Sequence, residues 1–238
     1  MIPLRDANPT EKTPYITLGF IALNVLAFVL WQPITGGQRE QAIFFFCHGA
    51  IPREIADLEP IREVARACGG KSVIGSMFTS MFLHGGWLHI AGNMLYLWIF
   101  GNNVEDRMGR VWFFVFYLAA GLAATYAQVL TDTNSPVPLV GASGAIAGTL
   151  GAYLVMFPRA RVLTLIPIFF LFQVAELPAI FVLGFWFVLQ AFSGVGGLAA
   201  GATGGVAWFA HIGGFLFGAL IALAFFRPAA ANRQTGWN

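Results

Sequence analysis

Long apolar runs alternate with short polar connectors along this chain, and the runs have the length of membrane-crossing helices. A spanning helix needs roughly 20 mostly apolar residues. Six stretches fit: about Tyr15–Trp31, Gly86–Gly101, Val111–Leu130, Val140–Phe157, Leu177–Phe192 and Val206–Phe226. None holds a Lys or Arg, as expected when such a charge costs about 2.5–3.5 kcal/mol at mid-bilayer. Val162 to Phe192 is apolar throughout, too long for one span and too short for two, and broken by Pro167, Glu176 and Pro178. Its first part, Val162–Val174, is expected to be a re-entrant or interfacial piece feeding the fifth helix. Residues 34–75 form a long connector between the first two spans. Within it, Ile51–Ala67 carries charged and apolar residues at helical spacing, which predicts short amphipathic helices on the membrane surface. Pro52 suits a helix start and Pro60 a break. Residues 227–238 read as a tail. The expected fold is a single all-α polytopic membrane domain over residues 1–238, a six-transmembrane-helix bundle.

Composition narrows the classes further. Charged residues make up 10% of the chain, against about 25% in soluble domains. The apolar fraction is 58% and the mean hydropathy +0.72, which excludes both a water-soluble globule and a disordered chain. A net charge of +2 offers no basic field for nucleic acid.

The basic residues predict an orientation. Arg5, Lys12, Arg107, Arg110, Arg159, Arg161, Arg227 and Arg233 fall on one side, while the 3–4 and 5–6 connectors have none. Both termini are therefore expected in the cytoplasm and the 34–75 connector outside, in a multi-pass protein of the inner or plasma membrane. Trp31-Gln32-Pro33 follows the first run where a signal peptide would have small residues, so that helix is expected to be retained. Cys47 and Cys68 lie in the outward connector, an oxidising place in a bacterium. A disulfide between them and a pair of unpaired thiols are both open readings, and no spacing suggests zinc.

Polar residues inside spans carry the chemistry, because they are expensive there and face a bundle interior or a wet cavity. His84, His89 and Asn93 sit at the start of span two, Ser143 near the start of span four, and His211 shortly after the start of span six. Spans two, four and six run in the same direction, so these residues share one depth, the outer third of the bilayer. His89 and Asn93 are four apart, hence neighbours on one helix face. Gly144, Ala147, Gly148 and Gly151 form a smooth stripe beneath Ser143, and Gly214 and Gly218 lie on the His211 face. Such stripes let helices four and six approach closely enough for a Ser–His hydrogen bond. A serine hydroxyl needs a base to become a nucleophile, and His211 fits that role. His89, Asn93 and the Ser143 N–H are candidate oxyanion donors, with Gly144 leaving room for backbone approach. Asp132 is the single Asp that can be placed near that depth, and Ser143 and His211 are expected to act as a dyad. Taken alone, Ser143 reads as structural, as do Gln190, Ser193, Thr203 and Glu176, while Tyr96, Trp98 and Trp208 read as core or interface anchors.

At these residues the chain resembles the rhomboid family of intramembrane serine proteases. The matching blocks are Phe78–Asn93 (FTSMFLHGGWLHIAGN), Gly141–Gly144 within GASGAIAG, and Ala210–Gly218 (AHIGGFLFG), in the order His, Asn, Ser, His. The resemblance implies that Ser143 is the nucleophile, His211 its general base, His89 and Asn93 the lining of the oxyanion hole and His84 a support. It further implies no metal or cofactor, and as partners the lipid bilayer and transmembrane-helix proteins cut near the outer end of the helix. Glu105 and Arg107 (NVEDRMG) match a family stretch read as structural. There are two departures. Many members carry Trp-Arg in the long connector, where this chain has Lys71-Ser72-Val73-Ile74-Gly75, so its anchoring is expected to differ. Many also place an aromatic four residues after the serine, stacking on the histidine; here it is Ala147, so His211 must be held another way. The fifth span and Ser193–Gly205 are the expected gate and cap. A non-proteolytic rhomboid-like binder of membrane helices and a small-solute transporter remain open alternatives.

Overall fold

The computed structural model describes residues 1–168, 171–199 and 207–226. Each of the six apolar stretches holds a helix among the described residues. Helix α1 (Tyr15–Leu26) runs on through a π-helical turn to Trp31. The 34–75 connector holds α2 (Gln38–His48), α3 (Pro52–Asp57) and α4 (Arg62–Ala67), with Pro52 in the first turn of α3 and Pro60 between α3 and α4. Helix α5 (Val73–Thr79) follows, opened by Ser72, whose hydroxyl accepts the Gly75 N–H at 3.0 Å. Helix α6 (Trp87–Tyr96) passes through a second π-helical turn into α7 (Asn102–Met108), so the second apolar stretch extends further than its hydropathy alone suggests. Gly109, at φ +84°, turns the chain into α8 (Arg110–Thr131). Then come α9 (Ser143–Met156), α10 (Ala179–Ala199) and α11 (Trp208–Phe225). Among the described residues, three helices are long and apolar enough to cross a membrane: Arg110–Thr131, Ala179–Gly196 and Trp208–Phe225; Tyr15–Trp31, Val73–Phe82 and Ser143–Met156 are shorter apolar helices. Leu130, Val111, Leu220 and Phe225 project apolar side chains outward from this bundle, as lipid-facing residues would.

The fold is not all-α. Strand β1 (Ile2–Asp6) pairs antiparallel with β2 (Arg161–Ile168), which pairs antiparallel with β3 (Leu171–Pro178). The expected re-entrant piece at Val162–Val174 is thus a hairpin. Its β-branched residues suit strands, and Pro167 cannot sit inside a helix. Val162 and Thr164 are buried and alternate with the more accessible Arg161 and Leu163, the period of a half-buried strand. Glu176 consequently lies in a strand opposite Leu163, 3.4 Å from Arg161, rather than at a helix start. The fifth helix begins at Ala179. The first residues of the expected cap, Ser193–Ala199, continue α10, while 200–205, with Thr203, lie outside the described residues, as does the 227–238 tail.

Buried polar groups tie the elements together. Glu105, 2% exposed, accepts the backbone N–H groups of Ile16 and Thr17 at 3.0 and 2.7 Å and the Thr17 hydroxyl at 2.8 Å. A carboxylate from α7 thereby satisfies the open first turn of α1, which has no capping side chain of its own. Asp6 accepts hydrogen bonds from Asn103 and the Tyr153 hydroxyl at 2.7 and 2.8 Å, pinning β1 to α7 and α9. Its burial raises the carboxyl from 3.8 to about 6, against the opposing pull of the Tyr153 hydrogen bond.

The core centres on α8, α9 and α11. Tyr117, Tyr153, Phe100 and Phe113 are fully buried, and Phe20 stacks on Tyr117 at 4.1 Å between ring centres. The glycine stripe brings α9 and α11 together. A Cβ on Gly214 would fall on the Gly144 carbonyl oxygen, one on Gly218 on that of Gly148, and one on Gly151 on that of Phe215. On the other flank, Cβ atoms on Gly144 and Gly148 would lie 2.5 Å from those of Ala124 and Ala120 on α8. Three backbones therefore meet where side chains would hold them apart.

The connector is anchored by Lys71, where the family's Trp-Arg is missing. Its ammonium donates to the Phe46 and Gly49 carbonyls at 2.8 and 2.9 Å and meets Glu54 at 2.6 Å, with both side chains buried. Burial holds the Lys71 pKa below its ordinary value, and Glu54 opposes that shift. Cys47 and Cys68 are joined in a disulfide with Cα atoms 5.5 Å apart, linking α2 to the end of α4.

Candidate active site

Three helix starts converge at one end of the bundle. Ser143 is the first residue of α9, so its N–H has no carbonyl one turn back to bond. Gly141, just before it, sits at φ +132° with its N–H on the Ser80 carbonyl at 2.9 Å. A Cβ there would lie 3.0 Å from the His89 ring and 3.3 Å from Ser143 Oγ. Both the backbone angle and the crowding require glycine at Gly141. The bare face of Gly144 meets Ala124 and its carbonyl meets Gly214, so the missing side chain lets α8, α9 and α11 pack together.

His211 enters from α11 one turn into the helix, and its Nε2 lies 2.8 Å from Ser143 Oγ. Its other nitrogen, Nδ1, lies 2.7 Å from Oε1 of Gln190 on α10. Gln190 is buried, and no sequence pattern marked it beyond its being an amide in an apolar helix. Asp132 does not fill that place. It ends α8 and accepts the Asn134 N–H at 3.1 Å, a local turn bond. With no aromatic at position 147, the His211 ring is bordered by Trp186 and Trp208, at 6.0 and 6.4 Å between centres. Trp208 thus contacts the site, beyond the anchoring role its sequence suggests.

His89 and Asn93 stand on successive turns of α6. The Gly85 N–H donates to His89 Nδ1 at 3.2 Å. A backbone N–H only donates, so a neutral His89 carries its proton on Nε2, an atom 3.0 Å from where a Cβ on Gly141 would stand. That nitrogen is then a hydrogen-bond donor on the side of the ring that faces Gly141. Asn93 is 9% exposed and its amide nitrogen, buried, has no partner among the described residues. A buried donor left open is costly unless something else accepts from it. His84 lies behind His89, with ring centres 5.1 Å apart. Its backbone is clasped by Gln32, whose amide donates to the His84 carbonyl and accepts its N–H, both at 2.8 Å. Gln32 follows α1, and this support was not legible in the sequence. His48 stands apart, between Trp31 and Phe44; burial first, and the Lys71 charge second, lower its pKa.

The end of the bundle therefore presents a hydroxyl against an imidazole, and α6 and α9 carry further N–H groups there, on His89, Asn93 and the first turn of α9. That set has the parts of a nucleophile, a base and an oxyanion cradle.

Residues 72–228 match the family model described as the Rhomboid domain. Similar curated proteins include the rhomboid protease GluP of Bacillus subtilis, 37% identical over 142 residues, 59% of this chain and 24% of that protein. Rhomboid protein 1, mitochondrial, of Saccharomyces cerevisiae is 31% identical over 170 residues, 68% of this chain and 44% of its own length. The presenilin-associated rhomboid-like protein, mitochondrial, of Bos taurus is 30% identical over 139 residues, 55% of this chain and 36% of that protein. The matched regions cover less than half the length of each of these relatives.

Proposed function

The chain belongs to the rhomboid family and is a multi-pass membrane protein, and on that premise we propose that it is an intramembrane serine endopeptidase acting through Ser143 and His211. The observation that carries the reading is the 2.8 Å approach of Ser143 Oγ to His211 Nε2 at the meeting of two apolar helices. The hydroxyl oxygen attacks the scissile carbonyl carbon as its proton passes to Nε2. The carbonyl oxygen, now an oxyanion, accepts hydrogen bonds from His89 Nε2–H, the Asn93 amide and the Ser143 N–H. The imidazolium returns its proton to the leaving amine, and water repeats the sequence on the acyl-enzyme. Neutral donors suit such a site, since an additional buried charge would be costly there.

The substrate is another protein's transmembrane helix. Its carbonyls are hidden in helical hydrogen bonds, so Gly, Ala, Ser or Pro near the cut eases unwinding. In this reading the chain crosses a cell membrane six times, and the basic residues of the 2–3 and 4–5 connectors argue for both termini in the cytoplasm, with the site and the 34–75 connector outside. Helix α10 acts as the gate.

Cleavage of a single-span reporter in proteoliposomes tests this. Wild type should cut it near the outer end of the helix and Ser143→Ala should not. Equal cleavage by both, or binding without cleavage by wild type, would overturn the reading. A crosslink holding α10 against α6 should slow the reporter, and an unchanged rate would remove the gate.

A further inference from the structure

We infer that Gln190 is a positioning residue that fixes the tautomer of His211; this deepens the reading of Ser143 and His211 as a protease dyad and rests on it. A histidine can serve as base toward Ser143 only if Nε2 is free of hydrogen, which requires the proton on Nδ1. An isolated imidazole has no reason to keep that form, and the opposite tautomer would donate to Ser143 and make the hydroxyl an acceptor. The Gln190 carbonyl oxygen, 2.7 Å from Nδ1, accepts and cannot donate. It holds the proton on Nδ1 and points the Nε2 lone pair at Ser143 Oγ, 2.8 Å away.

Serine hydrolases in water place a carboxylate at this position, which both orients the imidazole and stabilises its cation. Here the partner is a neutral amide, 9% exposed, in a helix of mean apolar character. A carboxylate there would bear the cost of a buried charge. The amide keeps the orienting function without that charge. No proton passes to Gln190 during the reaction; the imidazolium keeps its Nδ1–H on the same oxygen. Gln190 belongs to α10, held against α11 by Phe187 on Phe215, ring centres 4.7 Å apart, so the tautomer is set by the helix assigned above to the gate.

The histidine nitrogens of wild-type protein, labelled with ¹⁵N and assigned against His211→Asn, read the tautomer directly. The expected result is a protonated Nδ1 and an unprotonated Nε2 on neutral His211. A protonated Nε2 would overturn the inference without any Gln190 variant. Gln190→Leu removes the acceptor at similar size and should lower kcat about 10- to 100-fold with KM unchanged, and slow fluorophosphonate labelling of Ser143 equally. Gln190→Glu keeps an acceptor oxygen and should recover the tautomer and most of the rate, with a lower unfolding temperature from the buried charge. Leucine-variant rates equal to wild type would also overturn the inference. Should wild type neither cleave nor label, the protease reading fails, and the tautomer spectrum still decides the role of Gln190.

Discussion

Adding one methyl group at Gly214 tests whether the approach of α9 and α11 sets the reactive geometry. Gly214 is one turn below His211, and its Cβ would clash with the Gly144 carbonyl oxygen, next to Ser143. Ala124 on α8 stands 3.3 Å from the same point, so the helix cannot slide aside cheaply. Ordinary contact begins near 3.4 Å, so the helices must separate by about 1 Å. That stretches the 2.8 Å Ser143–His211 bond beyond hydrogen-bond reach. A misplacement of about 1 Å costs roughly 10²-fold in rate, or about 2.7 kcal/mol of transition-state stabilisation. Overpacking should also lower stability by about 1–3 kcal/mol. The assay is reporter cleavage and fluorophosphonate labelling by Gly214→Ala, with thermal unfolding alongside. Gly19→Ala serves as the control, because a Cβ at Gly19 meets nothing within 4 Å. A Gly214→Ala protein that cleaves and labels like wild type would refute the claim that backbone approach sets the dyad.

Other perturbations test the scaffold. The Asp6 carboxyl is raised from 3.8 to about 6, so its protonated form stabilises the fold fully below about pH 4, and that contribution is lost as pH rises through 6. The loss is about 2–3 kcal/mol, and Asp6→Asn should flatten the pH 4–6 fall in Tm; an unchanged slope would contradict it. Lys71→Ala leaves Glu54 buried without its cation and should cost about 3–5 kcal/mol, seen as faster proteolysis within the 34–75 connector. Reducing the Cys47–Cys68 bond, which closes a sequence separation of 21, should lower stability by roughly 3 kcal/mol in thermal unfolding, and Cys47→Ser should abolish that response.

The apolar runs were legible as helices because each is long, uncharged and bounded by polar residues. The hairpin was not. Val162–Val174 carries the same apolar signal as a span, and its strands pair with each other and, at Val162–Leu165, with Ile2–Asp6, far away in sequence. A hydropathy pattern holds no trace of that contact, although the β-branched residues and Pro167 were hints. The meeting of Ser143 and His211 followed from polar residues in apolar helices at one depth, backed by glycines on the facing stripes. Gln190 carried the same kind of signal but had no partner within its own helix, so nothing in the sequence linked it to His211. Lys71 and Glu54 read as ordinary loop charges, since only folding buries them together.

Mass mapping of a fluorophosphonate adduct on the membrane-embedded wild-type protein tests the central claim most directly. The account predicts a single modified serine, Ser143, and no adduct in His211→Ala. An adduct on another serine, or undiminished labelling at Ser143 without His211, would contradict it.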